Sequence, residues 1–144
     1  MKTNTKWKAC EELLKEGIAC RITVTGHSMR PLLRSGDVIE IFSYKGSRIT
    51  VGDIVLAKER LTGRYLVHRI LKRYADGSCR LKGDNCEKED NIFTKPELLG
   101  KVMLVGKGMK LLNTWPATKL IALASGGGRN MVKTGIAIRD LIKR

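Results

Sequence analysis

Turn signals recur along this chain, and each stands at the mouth of an apolar run. Gly36-Asp37 precedes Val38 to Phe42, whose apolar residues alternate around Glu40, and Gly52-Asp53 opens the run that continues to Lys58. Thr62-Gly63 separates that run from Tyr65 to Arg73, and Asp76-Gly77 leads into Ser78 to Lys82. Glycine and aspartate favour tight turns, and runs this short and this rich in Ile, Val and Leu read as strands joined by hairpins. Cys20 to Thr25 and Leu98 to Val105 complete the set. Before them, Trp7, Cys10, Leu13 and Leu14 recur at helical spacing within Thr5 to Glu16, and Gly17 can end that helix. The expectation is a mainly β protein with a short N-terminal helix.

A chain of 144 residues suits one domain with a short appendage. With only 2 Phe and 2 Trp, its core must rest on Ile, Leu and Val. No run reaches membrane-spanning length, and no apolar segment of signal length follows the N-terminus. Cys10, Cys20, Cys79 and Cys86 form no Cys-x-x-Cys pair, and only 2 histidines are present, which argues against a zinc site. Reduced, mostly buried thiols in a cytoplasmic protein are the expected state. The charge is the outlier: 28 Lys+Arg against 14 Asp+Glu leave a net +14. Spread along the chain, these charges can form a solvated basic exterior or meet an anionic partner such as a membrane surface or an acidic peptide. A nucleic-acid partner is not expected.

The C-terminal part changes character. Thr114-Trp115-Pro116 breaks the chain, Leu120 to Ala124 is short and apolar, and Ser125 to Gly128 is a flexible stretch. Asn130 to Arg144 has the pattern of a basic amphipathic helix, weakened by Gly135, which can pack on the domain or lie on an anionic membrane. The chain thus divides into an N-terminal helix (1–19), a β domain (20–110) and a tail (111–144).

Three segments carry chemistry: Gly26-His27-Ser28-Met29-Arg30-Pro31, then Val67-His68-Arg69-Ile70, then Lys82-Gly83-Asp84-Asn85. A serine hydroxyl becomes a useful nucleophile only with a base in reach and donors for the oxyanion. A tight turn between Gly26 and Pro31 can present both the Ser28 hydroxyl and a backbone N–H. On a strand from Tyr65 to Arg73, Leu66, His68 and Ile70 share the apolar face, while Val67, Arg69, Leu71 and Arg73 fall on the other. Partial desolvation of His68 there favours the neutral imidazole that a general base requires. His27 adjoins Ser28 but points away from it in an extended segment. Asp84, in the Gly83 turn, and Asp90, in the acidic run Glu87 to Asp90, are alternative orienting carboxylates. Each residue also has a plain structural role open to it: a turn serine, a core histidine bonded to a carbonyl, an Asx turn, a solvated loop.

Taken in order, these motifs resemble the superfamily of signal peptidase I and the self-cleaving SOS-repressor-type peptidases, over about Ile22 to Val105. The segment from Gly26 to Pro31 looks like the nucleophile motif, and Ser35-Gly36-Asp37 and Val51-Gly52-Asp53 look like the recurring Gly-Asp turns. Where many members place a lysine base, His68 stands, as in the endoplasmic-reticulum and archaeal branch. Lys82-Gly83-Asp84-Asn85 is similar to that branch's Gly-Asp-Asn motif, with Asp84 and Asp90 matching its two implicated aspartates.

The resemblance implies a twisted, partly barrel-like array of antiparallel strands and a Ser-His endopeptidase that cuts a peptide or precursor protein beside small residues, with no cofactor or metal. Ser28 would be the nucleophile, His68 the base and Asp84 or Asp90 its support. Gly26, Ser28, Met29 and Pro31 would form the oxyanion and substrate-binding turn. With no membrane anchor or upstream DNA-binding domain in view, a small stand-alone relative is expected. A non-catalytic peptide- or nucleic-acid-binding module on the same scaffold is the alternative. Lys119 to Ala124 ends in an Ala-x-Ala pattern, where such a peptidase could cut itself.

Overall fold

The structure, a computed structural model, describes residues 2–45 and 48–105. The expectations for the tail, including its helix and the cut after Ala124, lie outside these residues. Helix α1 (Lys2–Lys15) leads into strands β1 (Cys20–Thr23), β2 (Val38–Ser43), β3 (Ile54–Lys58), β4 (Tyr65–Arg73), β5 (Cys79–Lys82), β6 (Ile92–Phe93) and β7 (Leu98–Leu104), with a 3-10 turn at Lys95–Glu97. The strands form one seven-stranded sheet in the order β1-β2-β7-β3-β4-β5-β6, and all its pairings are antiparallel. The edge strands β1 and β6 are not paired with each other, so the sheet is not closed into a barrel.

The mainly β fold is thus as the turn signals and the resemblance implied. The two-residue strand β6 was not foreseen, because a run so short carries no alternation to read. The turns work as their residues suggest. The Asp37 carboxylate accepts from the Arg34 amide at 2.8 Å, and that of Asp53 from the Thr50 amide at 2.9 Å.

Alternation along β3 gives the sheet two cores. Ile54 and Leu56 join Trp7, Cys10 and Leu14 of α1, together with Ile39, Ile41, Met29 and Leu33, on one face. Val55 and Ala57 join Leu66, Ile70, Leu81 and Phe93 on the other. α1 ends where Gly17, at φ +78°, gives its N–H to the Leu14 carbonyl while Ile18 N–H reaches that of Leu13. That paired closure needs a left-handed residue, which glycine provides without a steric penalty. Leu13, expected on the buried stripe, is exposed, and Glu11 is buried in the same helix.

The expectation of reduced thiols is corrected for one pair. The Gly17 turn brings the Cα atoms of Cys10 and Cys20 to 5.9 Å, and the two form a disulfide. Cys79 and Cys86 are free thiols, the first buried and the second half-buried. Burial pushes both thiols above their ordinary range. Among the described residues no helix is long and apolar enough to cross a membrane.

Candidate active site

The segment from Thr25 to Ser35 is an excursion from the tip of the β1–β2 hairpin. It is closed at its base by Val24 N–H to the Asp37 carbonyl at 2.8 Å and Gly36 N–H to the Val24 carbonyl at 2.9 Å. Leu33 N–H bonds the Met29 carbonyl at 2.9 Å, and the Arg30-Pro31 peptide is cis. Met29 and Leu33 anchor the excursion in the core below, leaving Ser28 half-buried at its surface.

The Gly83-Asp84-Asn85 loop grips the excursion from the far side. Asn85 N–H donates to the Ser28 carbonyl at 2.7 Å, and its side-chain amide to the His27 carbonyl at 3.2 Å. Gly83 is where three groups converge. A Cβ there would stand 2.7 Å from the Ser28 carbonyl oxygen, 3.0 Å from His68 Nε2 and 2.6 Å from Cys86 Sγ. Only a residue without a side chain lets these parts of the chain come so close.

His68 lies within β4, opposite Val55 of β3, and is 5% exposed. Its Nδ1 meets Asp90 Oδ2 at 2.5 Å. A carboxylate only accepts, so Nδ1 carries the proton in this pair, and the neutral ring then keeps its lone pair on Nε2. Nε2 is the nitrogen that approaches Gly83, which also lies against the Ser28 carbonyl. His68 and Ser28 line one cleft of about 190 Å³ with Thr25, Gly26 and Met29. Its remaining walls are Trp7, Val24, Leu33, Tyr65, Leu66 and Val67. Neither the hydroxyl nor the amide N–H of Ser28 is hydrogen-bonded to another described residue.

Asp84, the other candidate carboxylate, is engaged elsewhere. Its oxygens accept from Arg69 Nε at 2.8 Å and Nη2 at 2.7 Å, a bidentate pair with both side chains out of contact with solvent. Arg69 Nη1 also donates to the Gly52 carbonyl at 2.7 Å. One guanidinium thus ties the Gly52-Asp53 turn, β4 and the Gly83-Asn85 loop together. By strand alternation Arg69 falls on the less apolar side of β4. In the sheet interior that side is covered as well, and the buried charge is met by a carboxylate and a carbonyl, with each of the three guanidinium nitrogens donating a hydrogen bond. Nothing in the sequence distinguished this arginine, although two apolar neighbours in the run Val67 to Leu71 are a hint of double-sided burial. Pro31 is not among the cleft walls, and His27 is exposed and outside them. Trp7 and Tyr65 are among them, although no local pattern in the sequence ties either to the site.

Residues 4–107 match the family described as Peptidase S24-like, and the chain belongs to that family. Its function is of the peptidase type, and the resemblance carried by the motif order is borne out. Among curated proteins, it is similar to the signal peptidase complex catalytic subunit SEC11C of Canis lupus familiaris, of Homo sapiens and of Mus musculus. Each is 27% identical over 128 residues, spanning 78% of this chain and 67% of the relative. No solved structure matches.

Proposed function

We propose that this chain is a serine endopeptidase that cuts a peptide or precursor protein beside small residues, with Ser28 as nucleophile, His68 as base and Asp90 as the carboxylate behind it. The observation that carries the reading is the His68–Asp90 pair, which leaves Nε2 as the basic nitrogen of a histidine that lines one cleft with Ser28, whose hydroxyl no other described residue bonds. In this mechanism Ser28 Oγ bonds to the scissile carbonyl carbon as its proton passes to His68 Nε2. The carbonyl oxygen takes up the negative charge and accepts from the Ser28 N–H. Asp90 stabilises the imidazolium and keeps the ring oriented. Nε2 returns the proton to the leaving amine, and an acyl-enzyme remains on Ser28. Water then attacks the ester, again giving its proton to Nε2, and the acid leaves with Ser28 restored. The small cleft and the SEC11C relatives support small residues at the cut and a precursor protein as substrate.

The test is turnover of a peptide series by the parent, Ser28→Ala and His68→Ala. Each variant should lose about 10³-fold or more in rate with its fold intact. The parent's rate should be lost in acid, because a protonated ring cannot act as a base. Equal turnover by parent and either variant would sink the assignment.

A further inference from the structure

The cleft beside Ser28 and His68 has one wall that comes from neither the sheet nor the serine turn. Trp7 projects from α1 into it and stacks on Tyr65 of β4, ring centroids 6.3 Å apart and planes 19° from parallel. Three separate ties fix α1 in that position. The Cys10–Cys20 disulfide joins the helix to the strand that feeds the Ser28 turn. Glu11, one turn past Trp7, accepts from the Tyr65 hydroxyl and from Lys58 Nζ at 2.8 Å. Lys6 Nζ donates to the Thr23 carbonyl at 2.8 Å and lies 5.3 Å from the centre of the Trp7 ring. With the helix tied at these points, Tyr65 and Lys6 against the ring hold the indole at the edge of the cleft.

We propose that Trp7 is a specificity-determining residue: carried by the N-terminal helix and backed by Tyr65, it closes the substrate cleft and sets the size of the side chain accepted next to the scissile bond. This rests on the endopeptidase reading and names what enforces its small-residue preference. Pockets that engulf drug-sized ligands run to roughly 300–1,000 Å³. The space of about 190 Å³ found here must hold substrate backbone as well as side chain. Among the residues that line the cleft, Trp7 has the largest side chain.

The experiment measures cleavage of one peptide whose residue before the cut runs through Gly, Ala, Val, Leu and Phe, using the parent, Trp7→Ala and Trp7→Leu. The parent should favour Gly and Ala. Trp7→Ala should raise the Leu-to-Ala ratio of kcat/KM by about 10-fold or more, the scale on which pocket size discriminates apolar side chains. Trp7→Leu keeps the apolar packing, decides the matter if Trp7→Ala fails to fold, and should shift the ratio in the same direction by less. An unchanged ratio in a folded variant overturns the proposal.

A second arm measures equilibrium binding of the same peptides, fluorescently labelled, to Ser28→Ala protein with and without the Trp7 change. Selectivity for small side chains that relaxes on removing the indole, in a protein whose parent cleaves nothing, would remove the endopeptidase reading and keep the subsite. Binding that ignores side-chain size in both proteins would overturn the subsite whatever the parent cleaves.

Discussion

Two aspartates six positions apart, Asp84 and Asp90, carry different duties, and the difference follows from what each one touches. Asp84 neutralises a guanidinium that has no contact with water. Removing one partner of such a pair leaves a bare buried charge, at a cost of about 3–5 kcal/mol. Asp84→Ala should therefore lower the melting temperature sharply, and activity should fall with the fold. Asp90 is partly exposed, and among the described residues its carboxylate bonds an imidazole that can be neutral. Asp90→Ala should keep most of the stability while losing turnover by about 10²-fold or more and altering the pH–rate profile. Thermal unfolding and turnover of the two variants, measured together, separate the roles. A stable but inactive Asp84→Ala beside a fully active Asp90→Ala would reverse the assignment. The sequence brought both carboxylates to notice but could not choose between them. The choice depends on Arg69, whose reach into the Gly83 loop is a product of strand pairing and leaves no mark in local pattern.

At the scale of elements, the sequence was most legible where local chemistry decides. β4 runs over the Tyr65–Arg73 span that its turns delimit, and α1 and most other strands lie within a few residues of expectation. The cysteines and the cleft were less legible, because they depend on α1 lying across the sheet. Cys10 and Cys20 look unrelated at a separation of 10, and only the return of the chain at Gly17 makes them partners. Closing a loop of that length stabilises the folded state by about 2–3 kcal/mol on the chain-entropy account. The Cys10→Ser/Cys20→Ser protein should accordingly melt several degrees lower, and a reductant should lower the parent toward it without affecting the variant. Identical melting of parent and variant would show that the cross-link contributes nothing to holding α1. Gly83 makes a companion case. Gly83→Ala must displace Cys86, the Ser28 carbonyl or His68, and two of these belong to the proposed machinery. Its turnover should drop by about 10-fold or more even where the melting temperature changes little, and unimpaired turnover would mean that the loop can move aside freely.

For the molecule as a whole, the excess of 28 basic over 14 acidic residues makes each carboxylate count, since protonating one raises an already large positive charge. Glu11 is held by three partners, Lys15, Lys58 and Tyr65. Burial raises its pKa, but hydrogen bonds from Lys58, Tyr65 and Lys15 outweigh burial and bring it to about 2 from 4.5. The folded protein therefore binds fewer protons at Glu11 than the unfolded chain does between these values. The resulting stabilisation is complete above about pH 5 and is lost as pH falls toward 2. With Lys15 and Lys58 partly exposed, solvent screening reduces its size to about 2 kcal/mol. Because Glu11 fastens α1 across the sheet, acid should release the helix and its indole early in unfolding. Melting temperature should fall steadily from pH 5 to 2.5, and in a Trp115→Phe background Trp7 emission should shift red before the sheet signal is lost. Glu11→Gln should start lower at pH 6 and decline less steeply, since it has no proton to take up. A parent melting temperature that stays level down to pH 2.5, or a Glu11→Gln variant that declines as steeply, would show that this carboxylate does not fasten the helix to the sheet.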